Sequence, residues 1–151
     1  MKKYLIFLVV LSGLFSACSS DIIYSHFYPI KSGEWSIDST LRFEVPIVDI
    51  TTNYRTILYV RHTERYPYQN MWLFVGDSIH RDTIEFYLAD DRGQWLGNHH
   101  NGLIEMPVLL DEERHFADTE VFVLEVQHGM RDSLLRGVMD VGIEVYKNGQ
   151  K

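Results

Sequence analysis

The stretch LRFEVPI, residues 41–47, gives the clearest indication of the fold class, because its apolar and polar side chains alternate one by one. The apolar side chains that would share one face are Leu41, Phe43, Val45 and Ile47. Side chains two residues apart lie on the same face of a strand, so the pattern predicts a β-strand with one buried and one solvated face. Pro46 has no N–H group to donate to a neighbouring strand. We therefore predict that this strand lies at the edge of its sheet.

Similar runs of apolar or alternating residues follow along the chain at short spacing. We predict strands over residues 54–62, 71–75, 82–90, 107–110, 120–128 and 140–147. Residues that favour turns fall between these runs, and no long segment has the period of a helix. This pattern is typical of an all-β protein, and we predict an antiparallel β-sandwich of jelly-roll or immunoglobulin-like topology. The segment 129–140 is interpreted as a helical turn or a loop.

Two of these strands carry predictions about the direction of their side chains. In residues 82–90, we expect the alternation to point Ile84, Phe86 and Leu88 toward the core. In residues 71–75, Trp72 and Phe74 share a face in the middle of the run. Large aromatic rings in mid-strand contribute strongly to cores, so we predict that these two rings are buried.

The N-terminal region indicates export and lipid attachment. Two lysines precede an apolar run at residues 4–15, which is shorter than the 20 or so residues of a membrane-spanning helix but typical of a signal peptide. Cys18 is the one cysteine of the chain, so a disulfide would need a second molecule, and a buried free thiol is the other alternative. The stretch LFSAC resembles a lipobox, and we predict cleavage before Cys18 and lipidation of its sulfur.

The chain is accordingly divided into three predicted parts. Residues 1–17 are a signal peptide that is removed, residues 18–34 a lipidated tether, and residues 35–151 a single β-sandwich domain. Apolar residues between Ile22 and Tyr28 interrupt the polar tether, and we expect them to pack onto the domain. Diacylglyceryl and acyl groups such as palmitate on Cys18 would hold the protein to a membrane.

The charge of the chain excludes some classes of partner. Loss of Lys2 and Lys3 with the signal peptide changes the formal net charge from −7 to −9. Nucleic-acid binding requires clustered lysine and arginine against phosphate, and anionic lipid headgroups attract the same residues. An acidic domain is not expected to bind nucleic acid or to be attracted to anionic headgroups, so we predict no nucleic-acid partner.

No residue pattern in the chain matches a known catalytic or metal-binding motif. Seven histidines are present without ligand spacing, and the adjacent His99 and His100 would point to opposite faces of a strand. Asp90 and Asp91 follow a predicted strand, where aspartate commonly forms turns; a hydrolase would need them to line a cleft together with Glu85. We predict no catalytic residue, no metal site, no cofactor and no enzymatic activity.

Aromatic and histidine side chains in predicted loops form the candidate interaction surface. Its members are Tyr66, Tyr68, Trp95, His99 and His100. Tyrosine and tryptophan at loop tips often anchor protein contacts, and their rings can also stack on sugars. For Trp95, which stands in the glycine-rich stretch GQWLGNHHNG, a ring that covers the end of the sandwich is an equal alternative.

Three stretches together resemble a known family. They are ERYPYQNMWLFV at 64–75, DTIEFYLADDRGQWLG at 82–97 and EVQHGMRDSLLRGVMDVGIEV at 125–145. With the lipobox, they make the chain similar to the gliding motility lipoprotein GldH family over its predicted mature length. The resemblance implies a cell-envelope lipoprotein associated with the gliding machinery and the secretion system coupled to it, and it brings no catalytic residues.

From this resemblance we expect a non-catalytic structural or interaction component of that machinery. Its partners would be other envelope lipoproteins or components of the gliding and secretion machinery. We expect it at the outer membrane, facing the periplasm. The alternative is a carbohydrate-binding envelope lipoprotein that uses loop aromatics such as Trp95.

Overall fold

The computed structural model describes residues 22–76 and 80–148, within which the chain forms eleven β-strands and one 3₁₀ turn at Lys31–Gly33. The strands are β1 Ile22–Pro29, β2 Glu34–Ser36, β3 Leu41–Ile47, β4 Tyr54–His62, β5 Asn70–Gly76, β6 Arg81–Tyr87, β7 Asn98–His100, β8 Leu103–Arg114, β9 Glu120–His128, β10 Leu134–Arg136 and β11 Val138–Lys147. Among the described residues, no helix has the length and hydropathy needed to cross a membrane. Cys18 and the predicted signal peptide lie outside the described residues.

The strands form two larger antiparallel sheets and one short pair. The five-stranded sheet has the order β1-β11-β4-β8-β7, the four-stranded sheet has the order β3-β9-β5-β6, and β10 pairs with β2. The two larger sheets pack face to face over one apolar core. Core residues from both sheets include Leu58, Val60, Ile143, Phe43, Leu73 and Val126. The predicted all-β antiparallel sandwich is confirmed.

The stretch 41–47 has the structure that its alternation predicts. All four apolar side chains of β3 are buried, and Arg42, Glu44 and Pro46 are exposed. The strand is also an edge of the four-stranded sheet, as expected from the missing N–H group of Pro46. The predicted ranges of β4 and β9 agree with the observed bounds residue for residue.

Two predicted segments are corrected by the structure. The short strand predicted at 107–110 is the middle of β8, which has twelve residues. The segment 129–140 contains β10 and the start of β11, so it is more than the helical turn or loop expected from its sequence. Gly137 joins these two strands at a φ of +86°, a conformation that glycine adopts readily.

The folded domain begins inside the range that the sequence assigned to the tether. β1 covers residues 22–29 and pairs with β11 from Ile22 opposite Tyr146 to Pro29 opposite Asp140. The apolar residues expected to pack onto the domain are therefore part of its five-stranded sheet. Three residues, 19–21, lie between Cys18, the predicted lipid attachment site, and the first residue of β1.

The edge strands β1 and β3 lie against each other. The hydroxyl of Tyr28 donates a hydrogen bond of 2.7 Å to the carbonyl oxygen of Arg42, and its ring packs edge-on against Phe43 with centroids 5.1 Å apart. Tyr28 stands near the end of β1 and Arg42 near the start of β3. Earlier in β1, Tyr24 interacts with the backbone of Glu44, later in β3, so the two strands run in opposite directions. The start of β1 therefore lies at the same end of the sandwich as the end of β3.

The prediction that Trp72 and Phe74 are buried was wrong. Trp72 is 38% exposed and Phe74 36% exposed, whereas Met71 and Leu73, which alternate with them along the strand, are fully buried. Both faces of β5 are apolar, so alternation within the strand does not reveal which face points inward. The inward directions expected in residues 82–90 are confirmed, because Ile84 and Phe86 pack against the core and Leu88 is buried.

Candidate functional site

Two of the five residues predicted for an interaction surface are held by the fold. Tyr66 is only 2% exposed, and its hydroxyl donates a 2.8 Å hydrogen bond to the carbonyl oxygen of Asn70. Tyr68 is half-buried and donates a 2.8 Å hydrogen bond to the carboxylate of Asp132. Tyr66 thus belongs to the core, and only Tyr68 retains some access to solvent.

Trp95 covers one end of the core. Its half-buried ring packs against His62, with centroids 4.8 Å apart, and against Tyr66 at 6.5 Å. The turn that carries it is closed by Asp90, whose carboxylate accepts hydrogen bonds of 2.9 and 2.8 Å from the backbone N–H groups of Arg92 and Gln94. Of the two roles considered for Trp95, this geometry fits the covering role.

His99 and His100 are exposed on the short strand β7. The Nε2 atom of His99 lies 3.3 Å from the carbonyl oxygen of Trp95, and Nε2 of His100 lies 3.0 Å from the amide nitrogen of Asn101. His99 therefore joins the Trp95 cluster, while His100 contacts the neighbouring turn. Within residues 22–76 and 80–148, no group of three histidine, cysteine, aspartate or glutamate side chains could hold a metal ion.

The carboxylates considered for hydrolysis have structural roles. Asp90 closes the turn described above, and Glu85 accepts a hydrogen bond of 2.6 Å from the amide of Asn70 on the outer surface of the sheet. Asp91 is exposed in the turn itself. These positions fit the interpretation that aspartate stabilises turns here.

Two histidines are fully buried, which the sequence did not indicate. Nδ1 of His62 lies 3.1 Å from the carbonyl oxygen of Thr63, and Nε2 of His128 lies 3.1 Å from that of Trp35, so each ring donates one N–H to a carbonyl. The other nitrogen of each ring is buried without a hydrogen-bond partner. Burial lowers the pKa of both imidazoles below the ordinary value of 6.5. Burial therefore favours the neutral form of both rings, and both have a structural role in the core.

The most open aromatic surface lies on the outer face of the four-stranded sheet, at Trp72, Phe74 and Tyr87; we call these three residues the aromatic face. Tyr87 is 54% exposed and stands on β6 beside the start of β5. A groove of about 320 Å³ runs next to the aromatic face. Its lining residues are Tyr68, Asn70, Trp72, Gly129, Met130 and Arg131.

Gly129 leaves space for the rings of this face. A methyl group added at Gly129 would come within 3.2 Å of the Phe74 ring and 3.4 Å of the Trp72 Cβ atom. The backbone N–H of Gly129 also donates a 2.7 Å hydrogen bond to the carbonyl oxygen of Trp72, which fixes the segment beside β5. Gly129 therefore packs beside both rings, which are partly exposed to solvent.

The outer face of the five-stranded sheet differs, because charged groups cover the ring of Phe27 on the edge strand β1. The guanidinium group of Arg61 lies 4.1 Å above the ring of Phe27 and forms ion pairs of 2.7 Å with Glu105 and 3.4 Å with Asp140. No ion pair of this kind covers Trp72 or Phe74 among the described residues. The aromatic face is therefore the better candidate for binding.

A smaller cavity of about 160 Å³ opens between β6 and β8. It is lined by apolar side chains and by the polar or charged residues Thr56, His80, Asp82, Asp111 and Arg114. Its arginine is already engaged, since Arg114 forms a 3.0 Å ion pair with Asp111 and lies 4.5 Å above the ring of Phe122.

Comparison with known proteins links the chain to one family and to two relatives. A sequence model described as GldH lipoprotein matches residues 22–145. The gliding motility lipoprotein GldH homolog of Christiangramia forsetii is 28% identical over 147 residues, which cover 89% of this chain and 90% of that protein. The gliding motility lipoprotein GldH of Flavobacterium johnsoniae is 23% identical over 150 residues, which cover 91% of this chain and 92% of that protein.

Among solved structures, dimeric latent PorU from Porphyromonas gingivalis aligns with 85% of this chain and 13% of its own, at 10% identity and a TM-score of 0.42. A likeness of this size supports no argument about function.

Proposed function

The chain belongs to the GldH lipoprotein family, and on that premise we propose that it is a lipid-anchored, non-catalytic interaction component of the gliding motility machinery and its associated secretion system. Its lipoprotein relatives imply a membrane-anchored place in the cell envelope. The finer location, at the outer membrane and facing the periplasm, is part of the proposal. Lipidation of Cys18 would provide the anchor, and Cys18→Ala is expected to release the protein from membranes.

The aromatic face is the observation that carries the interaction role. Trp72 and Phe74 are large, stiff side chains on a central strand, and such residues dominate the energy of protein interfaces. An aromatic ring held in place on a strand also loses little conformational entropy when a partner covers it. The face therefore has the features of a surface that binds another envelope protein.

Two observations support the absence of catalysis. The family is one of gliding motility lipoproteins and is not a known enzyme family. The carboxylates that a hydrolase would need are used in a turn and in a hydrogen bond on the sheet surface.

A crosslinked pull-down of tagged protein from solubilised envelopes tests the proposal. We expect envelope lipoproteins or secretion components to co-purify with the natural chain, and far less with Trp72→Ala. Leu109→Ala is the matched control, because Leu109 is 54% exposed on β8 of the other sheet. A bait without companions would contradict the proposal, and equal recovery from all three proteins would remove the aromatic face from it.

Glycan binding is the second candidate, and the groove beside Trp72 is the observation in its favour. The groove places the hydrogen-bonding side chains Asn70 and Arg131 next to an exposed indole ring, the arrangement on which sugars stack. Glycan-array screening should then give a signal that Trp72→Ala abolishes and Trp95→Ala retains. No signal with the natural chain would dismiss this candidate.

A further inference from the structure

We propose that one corner of the sandwich rests in the headgroup region of the membrane that holds the lipid anchor. The corner comprises Ile22 and Ile23 at the start of β1 and Val48 and Ile50 after β3; we call it the aliphatic corner. The occupant of this surface is a zwitterionic lipid bilayer. The inference rests on the proposed lipidation of Cys18 and adds an orientation that the anchor alone does not determine.

Few residues lie between the proposed lipid anchor at Cys18 and the start of the folded domain. Ile22 already pairs with Tyr146 in the five-stranded sheet and follows Cys18 by four residues. Four extended residues span at most about 14 Å. A lipid-bearing Cys18 at the bilayer surface thus keeps the start of β1 within that distance of the headgroups.

Residues 48–50 lie at the end of the sandwich where β1 begins. β3 ends at Ile47 beside the start of β1, because β1 and β3 lie against each other in opposite directions. The carboxylate of Asp49 also forms an ion pair of 2.5 Å with Lys147, which follows the partner of Ile22 on β11. The loop after β3 and the start of β1 therefore share one corner.

The aliphatic side chains at this corner are exposed to solvent. Val48 is 81% exposed, Ile22 is 43% exposed, and Ile23 and Ile50 are both 38% exposed. Single exposed apolar residues are normal on a protein surface, but a group of them marks a binding or membrane-contact site. Here the group stands at the end where the anchored chain enters.

The charges of this end determine the kind of lipid surface. Asp49 is neutralised by Lys147, and this ion pair lowers the pKa of its carboxyl well below the ordinary range. Other carboxylates of the same end lie along and beside the hairpin between β8 and β9, at Glu112, Glu113, Asp118 and Glu120. They would be repelled by anionic headgroups, so the fit is to zwitterionic lipid.

The orientation presents the candidate binding surface away from the bilayer. β9 runs from Glu120 beside the end of β3 to His128 beside Leu73, a length of about 27 Å at roughly 3.4 Å per residue. The groove beside Trp72 lies past the far end of β9, at Gly129 and Met130. With the aliphatic corner on the membrane, this groove faces away from the bilayer, where a protein partner can reach it.

Depth-dependent fluorescence on the full-length lipidated protein tests the inference. Lipidation consumes the thiol of Cys18, so a cysteine introduced by Val48→Cys or Leu134→Cys is the single site for an environment-sensitive dye. Leu134 is the matched control, since it is 50% exposed on β10 near the other end of the sandwich. Both proteins are reconstituted into phosphatidylcholine vesicles that contain lipids with a quencher at the headgroup boundary.

We expect the dye at residue 48 to emit at shorter wavelength and to be quenched several-fold more strongly than the dye at residue 134. Replacing part of the phosphatidylcholine by phosphatidylglycerol should reduce the quenching at residue 48. Equal quenching at the two residues on vesicle-bound protein would overturn the orientation while leaving the anchor intact. Failure of both proteins to float with vesicles would overturn the lipid anchor itself, and the orientation with it.

Discussion

Gly142 shows how one missing side chain shapes the outer surface of the five-stranded sheet. A Cβ atom at this position in β11 would overlap the ring of Phe27 on β1, so the ring lies flat on the glycine. The same ring is covered on its other side by the guanidinium group of Arg61, at 4.1 Å. Gly142 thus provides the space that lets an aromatic ring and a cation stack between neighbouring strands.

Gly142→Ala should therefore destabilise the fold by about 1–3 kcal/mol, the usual effect of forcing extra volume into a packed site. In a Phe27→Ala background the added methyl meets no ring, and the same substitution should be neutral or slightly stabilising, because glycine is unfavourable within strands. Urea unfolding of the four proteins measures this coupling. Additive effects would show that Phe27 is not what requires the glycine.

His62 and His128 predict a loss of stability in mild acid. Their folded-state pKa values are lowered, chiefly by burial, while the unfolded chain titrates near 6.5. The unfolded state therefore binds more protons as the pH falls below 6.5, and stability should decrease by up to about 1.4 kcal/mol per pH unit for each histidine. Nearby His99 lowers the pKa of His62 further, whereas Asp132 opposes the shift at His128.

Urea unfolding between pH 7.5 and 5 checks this prediction against a double variant, His62→Asn with His128→Gln. Asparagine and glutamine can each replace the donated N–H without titrating. The variant should lose less stability in acid than the natural chain. Asp140, whose pKa is raised chiefly by burial, contributes the opposite slope at lower pH and is common to both proteins. Identical pH profiles would exclude the two histidines as the cause.

At the scale of elements, the alternation of apolar and polar residues predicts the buried face of β3 but not that of β5. In β3 the polar residues that alternate with the apolar ones identify the solvent-exposed face, and the prediction from sequence is confirmed. In β5 both faces are apolar, and the inward face is fixed by pairing: Leu73 stands opposite Ile84 of β6 and His128 of β9, while Trp72 and Phe74 occupy the other face. No signal within the strand could have identified its exposed aromatic rings.

Single alanine substitutions in β5 test this assignment of faces. Leu73→Ala should destabilise the protein by about 2–5 kcal/mol, because it leaves a cavity in the core. Trp72→Ala, although it removes a larger side chain, should cost only about 1 kcal/mol, because surface substitutions have small effects. Thermal or urea unfolding of both variants decides the point. A larger loss of stability for Trp72→Ala than for Leu73→Ala would indicate that Trp72 is buried, as predicted from the sequence.

Other elements escaped prediction for different physical reasons. The second half of β8 carries the charged residues Asp111–Arg114, and its pairing with β4 is irregular near Thr56, so no regular alternation extends through it. β10 has three residues, too few to show any period. The role of Trp95 depends on its contact with His62, more than thirty residues away, which only the folded chain reveals.

At the scale of the whole molecule, the sandwich has two ends and two outer faces with different properties. The end where β1 begins carries the aliphatic corner, and the groove lies toward the opposite end. On one outer face Arg61 covers the ring of Phe27, and on the other the rings of Trp72 and Phe74 are exposed. This arrangement suits a tethered domain that contacts lipid at one end and a protein partner on one face.

On the proposed function, the aromatic face binds another envelope protein in the cell. Site-specific photocrosslinking tests it most directly, with the crosslinking amino acid placed at residue 72 in one strain and at residue 109 in another. We predict discrete adducts between position 72 and a component of the gliding or secretion machinery, and none from position 109 on the opposite sheet. Absence of adducts at position 72, or the same adducts from both positions, would contradict the account.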